Sequence, residues 1–414
     1  MSGGAGTPGI DDAMAAVLFV GITLYATTGG ADFGGGVWDL LAVRDRRGTG
    51  PREVIDRSVT AVWEANHVWL VFILVILWTA FPAAFAAVMT TLWIPMVIAL
   101  FGIVLRGAGF AYRKEVRHLR ARQATGIVFA SSSLIAPFFF GAAVGGIAAG
   151  RVRTGFVTGL VSSWTSGFSI LAGALFVAAG AFLSAVYLCT DTTAQGRLEL
   201  RPYFVRRALA AGLVTGGIAL GALFDLASTD ARLYDHLTGR AVPLVVVSGL
   251  LGVTTLVQLA RGCTAGTRPL AAGAVAAVVW GWGWAQYPDL LATSLPLRTG
   301  SAPTGTMDAL LVVFALAVGL VLPSLGLLYY LATRQELGED ERDVAGAALV
   351  GAPQGGPPGQ DPGPAGARRH PADGLLGLAL AFGAGFTAGR RERPAGRRQG
   401  RRATRRRPAR RRRR

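Results

Sequence analysis

Four ionisable side chains stand inside long apolar stretches of this 414-residue chain: Asp32, Glu64, His67 and Arg106. A charge at membrane depth is costly, so each calls for a partner, for water or for a task. Asp32 lies in TTGGADFGGGVWDLL, between glycine clusters. Glycine lets helices approach closely and exposes backbone carbonyls, so a carboxylate there is either held by a neighbouring helix or set on an ion path. Glu64 opens VWEANHVWLVF, with Trp63, Asn66, His67 and Trp69 around it. Helical spacing sets Trp63, Asn66 and His67 on one side, with Glu64 rotated about 100° from Trp63. Such a cluster suits a proton-handling acid; the alternative is an interfacial acid that snorkels to water beside the tryptophans of an aromatic belt. His67 admits the roles of haem ligand, proton carrier or hydrogen-bonded packing residue, and without a second ligand the packing role ranks first. Arg106, in LFGIVLRGAGFAYRKE, needs an anion. Asp32 and Glu64 are the candidates within the chain, a cofactor carboxylate from another subunit is the external one, and snorkelling to headgroups is the alternative.

Other chemistries find no support. Cys189 and Cys263 show no CxxC spacing, so neither a metal site nor a disulfide framework is indicated. Of the four histidines only His67 lies in an apolar segment, too few to ligate several haems from this chain. No phosphate-binding loop, zinc-protease motif or dinucleotide fingerprint sits in a suitable context. Trp280, Trp282, Trp284 and Tyr287, before Pro288, read as an outer aromatic belt and a helix stop.

The elements that must position these residues are membrane helices. Hydrophobic residues make up 52% of the chain and charged residues only 16%, well below a soluble protein's share. Nine segments are long and apolar enough to cross a bilayer: 13–42, 59–80, 91–112, 124–149, 164–189, 204–228, 241–260, 269–286 and 308–332. The first is glycine-rich and is expected to tilt or break near Gly29–Gly36. Asp11 and Asp12 precede it where a signal peptide would carry bases, so it reads as a membrane helix. The loops after odd-numbered segments hold sixteen Lys and Arg, and those after even-numbered segments hold five. Positive charge accumulates on the cytoplasmic side, which gives an all-α integral membrane protein with its N-terminus outside and its C-terminus inside. Asp32, Glu64 and Arg106 then share the cytoplasmic half, an arrangement suited to proton uptake or to a proton-coupled transporter of a small solute.

The nine-helix domain is expected to occupy residues 1–333. Residues 334–414 form a different material, rich in Gly, Pro and Arg and expected to be a disordered cytoplasmic tail. From Arg334 onward 19 Arg face 8 acids, a balance of +11 out of the chain's net +17. The basic balance is thus mostly the tail's and does not point to nucleic acid. An Arg-rich end on that side is able to touch anionic lipid, although no amphipathic pattern supports it.

The motifs GADFGGG, WEANHVWL, LRGAGFAYR and WGWAQYP, in that order over about residues 10 to 332, resemble subunit II of the cytochrome bd quinol oxidases. The resemblance implies a bacterial plasma-membrane complex that oxidises menaquinol or ubiquinol and reduces dioxygen to water with cytoplasmic protons. It implies two haems b and one haem d, all ligated by subunit I, the partner in a heterodimer. It implies two four-helix bundles and a peripheral helix, with no haem or metal ligated by this chain. Carried over by motif, Asp32 and Glu64 become proton-path carboxylates, and Arg106 helps position the haem-facing side of the subunit interface. Trp63, Asn66 and Trp69 then shape that interface. Many relatives carry Asp where this chain has Glu64, which keeps the acid. They usually end soon after the ninth helix, so the tail has no counterpart.

Overall fold

The computed structural model describes residues 9–42, 49–60, 63–115, 119–155, 159–292 and 294–320, with residues 323, 324 and 327. The first apolar run is continuous over Ile10–Ala42. It comprises α1 (Ile10–Leu24), a π-helical turn (Tyr25–Gly29) and α2 (Gly30–Ala42). The irregularity expected at Gly29–Gly36 therefore falls just before the glycine cluster. The hydroxyls of Thr27 and Thr28 donate to the carbonyls of Thr23 and Leu24 at 2.8 and 2.7 Å, satisfying acceptors where the helix widens. The glycines themselves stay helical.

A helix absent from the sequence expectation follows, α3 (Thr49–Thr60). It is amphipathic, with Val54 and Ile55 buried, and Arg52 reaches back to Asp39. Next come α4 (Trp63–Ala80) and α5 (Pro82–Thr91), bent by 118° at Phe81. Pro82 has no N–H to continue the ladder and starts a new helix instead. The chain continues through α6 (Trp93–Glu115), α7 (Leu119–Ala148), α8 (Gly167–Ala194) and α9 (Arg201–Thr229). The short α10 (Ala231–Thr238), α11 (Val242–Ala260) and α12 (Thr267–Gln286) follow. A small antiparallel hairpin of β1 (Asp289–Leu291) and β2 (Leu295–Pro296), unforeseen in the sequence, leads to α13 (Leu297–Gly300). An apolar helix, α14, spans Thr304–Leu320.

Five helical stretches are long and apolar enough to cross a membrane, and six if the bent α4–α5 pair is one span. Trp93–Gly109 and Thr304–Leu320 are shorter apolar helices. The difference from the expected nine has local causes. Arg113 and Lys114 close the apolar part of α6, while glycine dilutes α12. Residues 321–332 lie largely outside the described residues, as does the expected tail.

Helices α8, α9, α11 and α12 form a closed ring, each packed on the next and α12 back on α8. In the other half α2 inserts between α7 and α8, α6 packs on α7, and α1 packs on α4 and α12. The buried positions are largely Ala and Gly, whereas bulky apolar side chains such as Phe224 (84% exposed) and Leu220 face outward. That inversion of a soluble protein's pattern is what lipid-facing helices with small-residue contacts require. The bundle has two distinct ends. Arg197 on the α8–α9 turn pairs with Glu53 of α3 at 2.9 Å at one end. Arg232 of α10 pairs with Asp289 of the hairpin at 3.1 Å at the other.

Candidate functional site

The site follows from the spacing within GADFGGG. Residues four apart on a helix share a face, and residues two apart lie nearly opposite. Gly30 and Gly34 form one face, against Gly180 of α8. A Cβ built on Gly34 would run into the Gly180 carbonyl. Asp32 and Gly36 form the opposite face, toward α6 and α7. A Cβ on Gly36 would collide with Ser133 and come within 3.1 Å of Arg106 Nη1. The absent side chain is thus the room in which a guanidinium fits.

Arg106 of α6 fills that room and is 1% exposed. Its Nη2 donates to Asp32 Oδ1 at 2.7 Å and to the Asp32 carbonyl at 2.9 Å. Its Nη1 donates to Ser133 Oγ on α7, which in turn donates to the Phe129 carbonyl at 2.7 Å. The guanidinium carbon lies 5.0 Å from the ring centre of Phe33 and 4.5 Å from that of Phe129. Planar, weakly hydrated Arg suits this dry aromatic slot better than Lys. Of the anions open to Arg106, the fold selects Asp32.

The pair leaves polar capacity unspent. Asp32 Oδ2 is buried without a protein partner, and so are the Tyr25 hydroxyl and both amide atoms of Asn66. Tyr25 sits in the π turn, packs edge-on to Phe140 at 6.2 Å and feels the charges of Asp32 and Arg106. Asn66, on α4, is 1% exposed, and α4 packs on that same π turn. Buried polar groups normally find partners, and orphaned ones cost roughly 1–3 kcal/mol each. Several orphans beside one ion pair therefore suit a hydrated polar pocket.

The remaining expected residues divide by place. Trp69 is half-buried, edge-on to Phe72 at 6.2 Å, and His67 is half-buried on α4. The side chains of Trp63 and Glu64 lie outside the described residues, although α4 begins at Trp63. Arg106 and Asn66, which the resemblance puts at a partner-facing interface, are enclosed within this chain by their own helices. Sequence reasoning missed Ser133, Tyr25, Phe33 and Phe129. The Ser131–Ser133 triplet in an apolar helix was the one visible signal. It also missed the Asp39–Arg52 pair at 3.0 Å, in which Asp39 is fully buried.

Haem iron needs axial His, Met or Cys ligands. The described histidines are His67, near the α3 end of the bundle, and His236, at the hairpin end with its Nδ1 2.9 Å from the Ala285 carbonyl. They are not brought together, and among the described residues no three His, Cys, Asp or Glu side chains gather into a metal site. The donors present do not fit a haem held by this chain.

These features define a multi-pass helical membrane protein built around one enclosed guanidinium–carboxylate pair. The family described as cytochrome bd terminal oxidase subunit II matches residues 10–332, and the chain belongs to it. Cytochrome bd ubiquinol oxidase subunit 2 of Bacillus subtilis (strain 168) is 33% identical over 128 residues, 31% of this chain and 36% of that protein. Cytochrome bd-I ubiquinol oxidase subunit 2 of Escherichia coli (strain K12) is 29% identical over 192 residues, 44% of this chain and 49% of that protein. The matched stretches thus span about a third to a half of these relatives' own length. In fold, the chain is similar to a chain of the bd oxidase from Geobacillus thermodenitrificans, with a TM-score of 0.62 and 23% identity. That likeness covers 78% of this chain and 98% of the other. The chain is accordingly a subunit of a bd-type respiratory oxidase, and the solute-transporter alternative is not favoured.

Proposed function

We propose that this chain is the haem-free partner of subunit I in a quinol:dioxygen oxidoreductase, and that it lines part of the route by which cytoplasmic protons reach the site of oxygen reduction. Haems b and d belong to the partner, which oxidises menaquinol or ubiquinol. The complex sits in the bacterial plasma membrane with this subunit's N-terminus outside. On this reading the bent α4–α5 pair, α6, α12 and α14 each count as crossings, which restores nine helices in two bundles, with residues 334–414 a dispensable cytoplasmic tail.

One observation carries the proton reading. The carboxylate of Asp32 is held by Arg106 through Oδ1 while Oδ2 remains open, beside Tyr25 and near the unpartnered Asn66 amide. The guanidinium compensates the carboxylate's charge in a dry surrounding. The open oxygen and the amide then orient water, and the Tyr25 hydroxyl both donates and accepts within that water. Glu64, at the start of α4 on the charge-rich side, is the entry acid. Trp63 and Trp69 shape the partner-facing surface, and Arg106 and Asn66 support it from behind. Haem supplies the redox chemistry when the complex is whole; this chain's residues hold and pass protons.

The test has two parts. A reduced-minus-oxidised spectrum of the purified complex is expected to show haem b and d bands only when the second large subunit co-purifies. In that complex, Glu64→Gln is expected to keep the spectrum and slow oxygen reduction at least tenfold. Native turnover with native spectrum would remove Glu64 from the route.

A further inference from the structure

At the hairpin end, the turn between α7 and α8 carries chemistry that the oxidase reading does not use. Beyond Ala148 the chain reverses at Gly150, which takes the left-handed conformation at φ 66°. Val152, fully buried, anchors the turn. The returning strand of the loop tucks under α7, where a Cβ on Gly146 would strike the Ser163 carbonyl. Between the two limbs lies a cavity of about 210 Å³ lined by Ala149, Gly150, Arg151, Arg153, Ser162 and Ser163. Ser163 is 1% exposed, and its hydroxyl has no protein partner. Arg153 forms no ion pair among the described residues; its Nε donates only a long bond, 3.4 Å, to the Gly150 carbonyl. Arg151 donates from Nη1 to the Ser162 carbonyl at 3.3 Å. Asp230 comes near Gly150, but its Oδ1 is engaged in capping α10, accepting from the Leu233 N–H at 3.1 Å.

Two guanidiniums with spare donors and a buried hydroxyl around a polar cavity form a receptor for a tetrahedral oxyanion. What surrounds it selects the source. Leu160 and Val161, in the same loop, are 40% and 56% exposed, and Trp164 lies beside them. Apolar side chains next to basic ones at the end of a membrane bundle match a headgroup with its acyl chains, not a free ion. On the side that carries only five bases in the loop count, two stand here one residue apart. We infer that this turn binds the phosphate of an anionic phospholipid, with Arg151, Arg153 and the Ser163 hydroxyl as its ligands.

The experiment uses the whole oxidase complex, stripped of lipid in detergent and titrated with phosphatidylglycerol or phosphatidylcholine, with melting temperature and bound lipid by mass spectrometry as readouts. Phosphatidylglycerol is expected to be retained and to raise the melting temperature, and phosphatidylcholine to do so more weakly. The Arg151→Gln/Arg153→Gln variant is expected to lower apparent phosphatidylglycerol affinity about tenfold or more. Unchanged affinity in that variant would overturn the site. An equal rise in melting temperature with inorganic phosphate would overturn the lipid assignment. Should the double variant fail to assemble, Ser163→Ala carries the test: weaker phosphatidylglycerol retention at an unchanged lipid-free melting temperature supports the site, and native retention refutes it.

Discussion

Arg106→Leu isolates what the buried pair contributes. The native guanidinium makes two bonds to Asp32 and one to Ser133, between two aromatic rings, with the Arg106 and Asp32 side chains 2% and 3% exposed. Leucine keeps much of the aliphatic volume but leaves the Asp32 carboxylate with neither oxygen partnered. Removing one member of a buried ion pair costs roughly 3–5 kcal/mol, because the other charge stays behind. At about 1.4 kcal/mol per factor of ten, that is two to three and a half orders of magnitude in the folded ratio. It is a large share of a typical total stability of about 5–15 kcal/mol. The expected result is a large fall in melting temperature and in yield of haem-bearing complex, followed by fluorescence-detected size exclusion after heating. The double variant Asp32→Ala/Arg106→Met removes both charges, so it is expected to recover most of the loss, with a coupling of several kcal/mol in the double-mutant cycle. A single variant that melts like the native protein, or a double variant no better than the single, would refute this account of the pair.

Gly34→Ala is expected to destabilise by about 1–3 kcal/mol, since its Cβ meets the Gly180 backbone, which cannot turn aside. Gly216→Ala, with nothing within 4 Å of its Cβ, is expected to stabilise by about 0.5–1 kcal/mol; thermal melts of the two variants check the contrast. Asn66→Leu removes two orphaned polar atoms, so the melting temperature is expected to hold or rise while oxygen consumption falls; native turnover would exclude Asn66 from the proton route. At the α3 end, the hydrogen bond from Arg197 holds the Glu199 carboxyl below its ordinary value of 4.5. A depressed folded-state value means that the contact's contribution is present above that ordinary value and lost as pH falls through the depressed one. Hydrogen exchange at Leu198–Leu200, corrected for intrinsic rates, is expected to rise only below that window, and Glu199→Gln is expected to remove the dependence.

The membrane helices were legible because a bilayer demands long apolar runs, and Ile10–Ala42, Gly167–Ala194 and Val242–Ala260 have them. Helix α3 was not, since it buries little beyond Val54 and Ile55 and otherwise reads as a charged loop. The bend at Phe81 had a signal in Pro82, but proline in a membrane segment kinks, ends or merely perturbs a helix according to its neighbours. Asp32 and Arg106 each stood out through the cost of their charge, and the alternation of loop charge put them on one half of the membrane. Whether Arg106 chose Asp32 or Glu64 depended on helix rotation, which hydropathy does not encode. Tyr25 and Ser133 escaped notice because a hydroxyl in a membrane helix can satisfy itself on its own backbone, as Ser133 does on Phe129.

The glycines of GADFGGG bind these two levels together. On one face Gly30 and Gly34 let α2 close onto Gly180 of α8, which fixes the depth and rotation of α2 between α7 and α8. On the opposite face that fixed rotation aims Asp32 at Arg106, and Gly36 vacates the volume the guanidinium occupies. The packing that excludes water from the pair is therefore also what positions it. A bulkier residue at Gly34 would then act twice, loosening the α2–α8 contact and turning Asp32 away from Arg106. This makes a specific demand on Gly34→Ala: part of its cost must disappear in the Asp32→Ala/Arg106→Met background, where no pair remains to misalign. Strict additivity of the two perturbations would mean that the glycine face and the carboxylate face are independent, and that the motif is two unrelated adaptations sharing one helix.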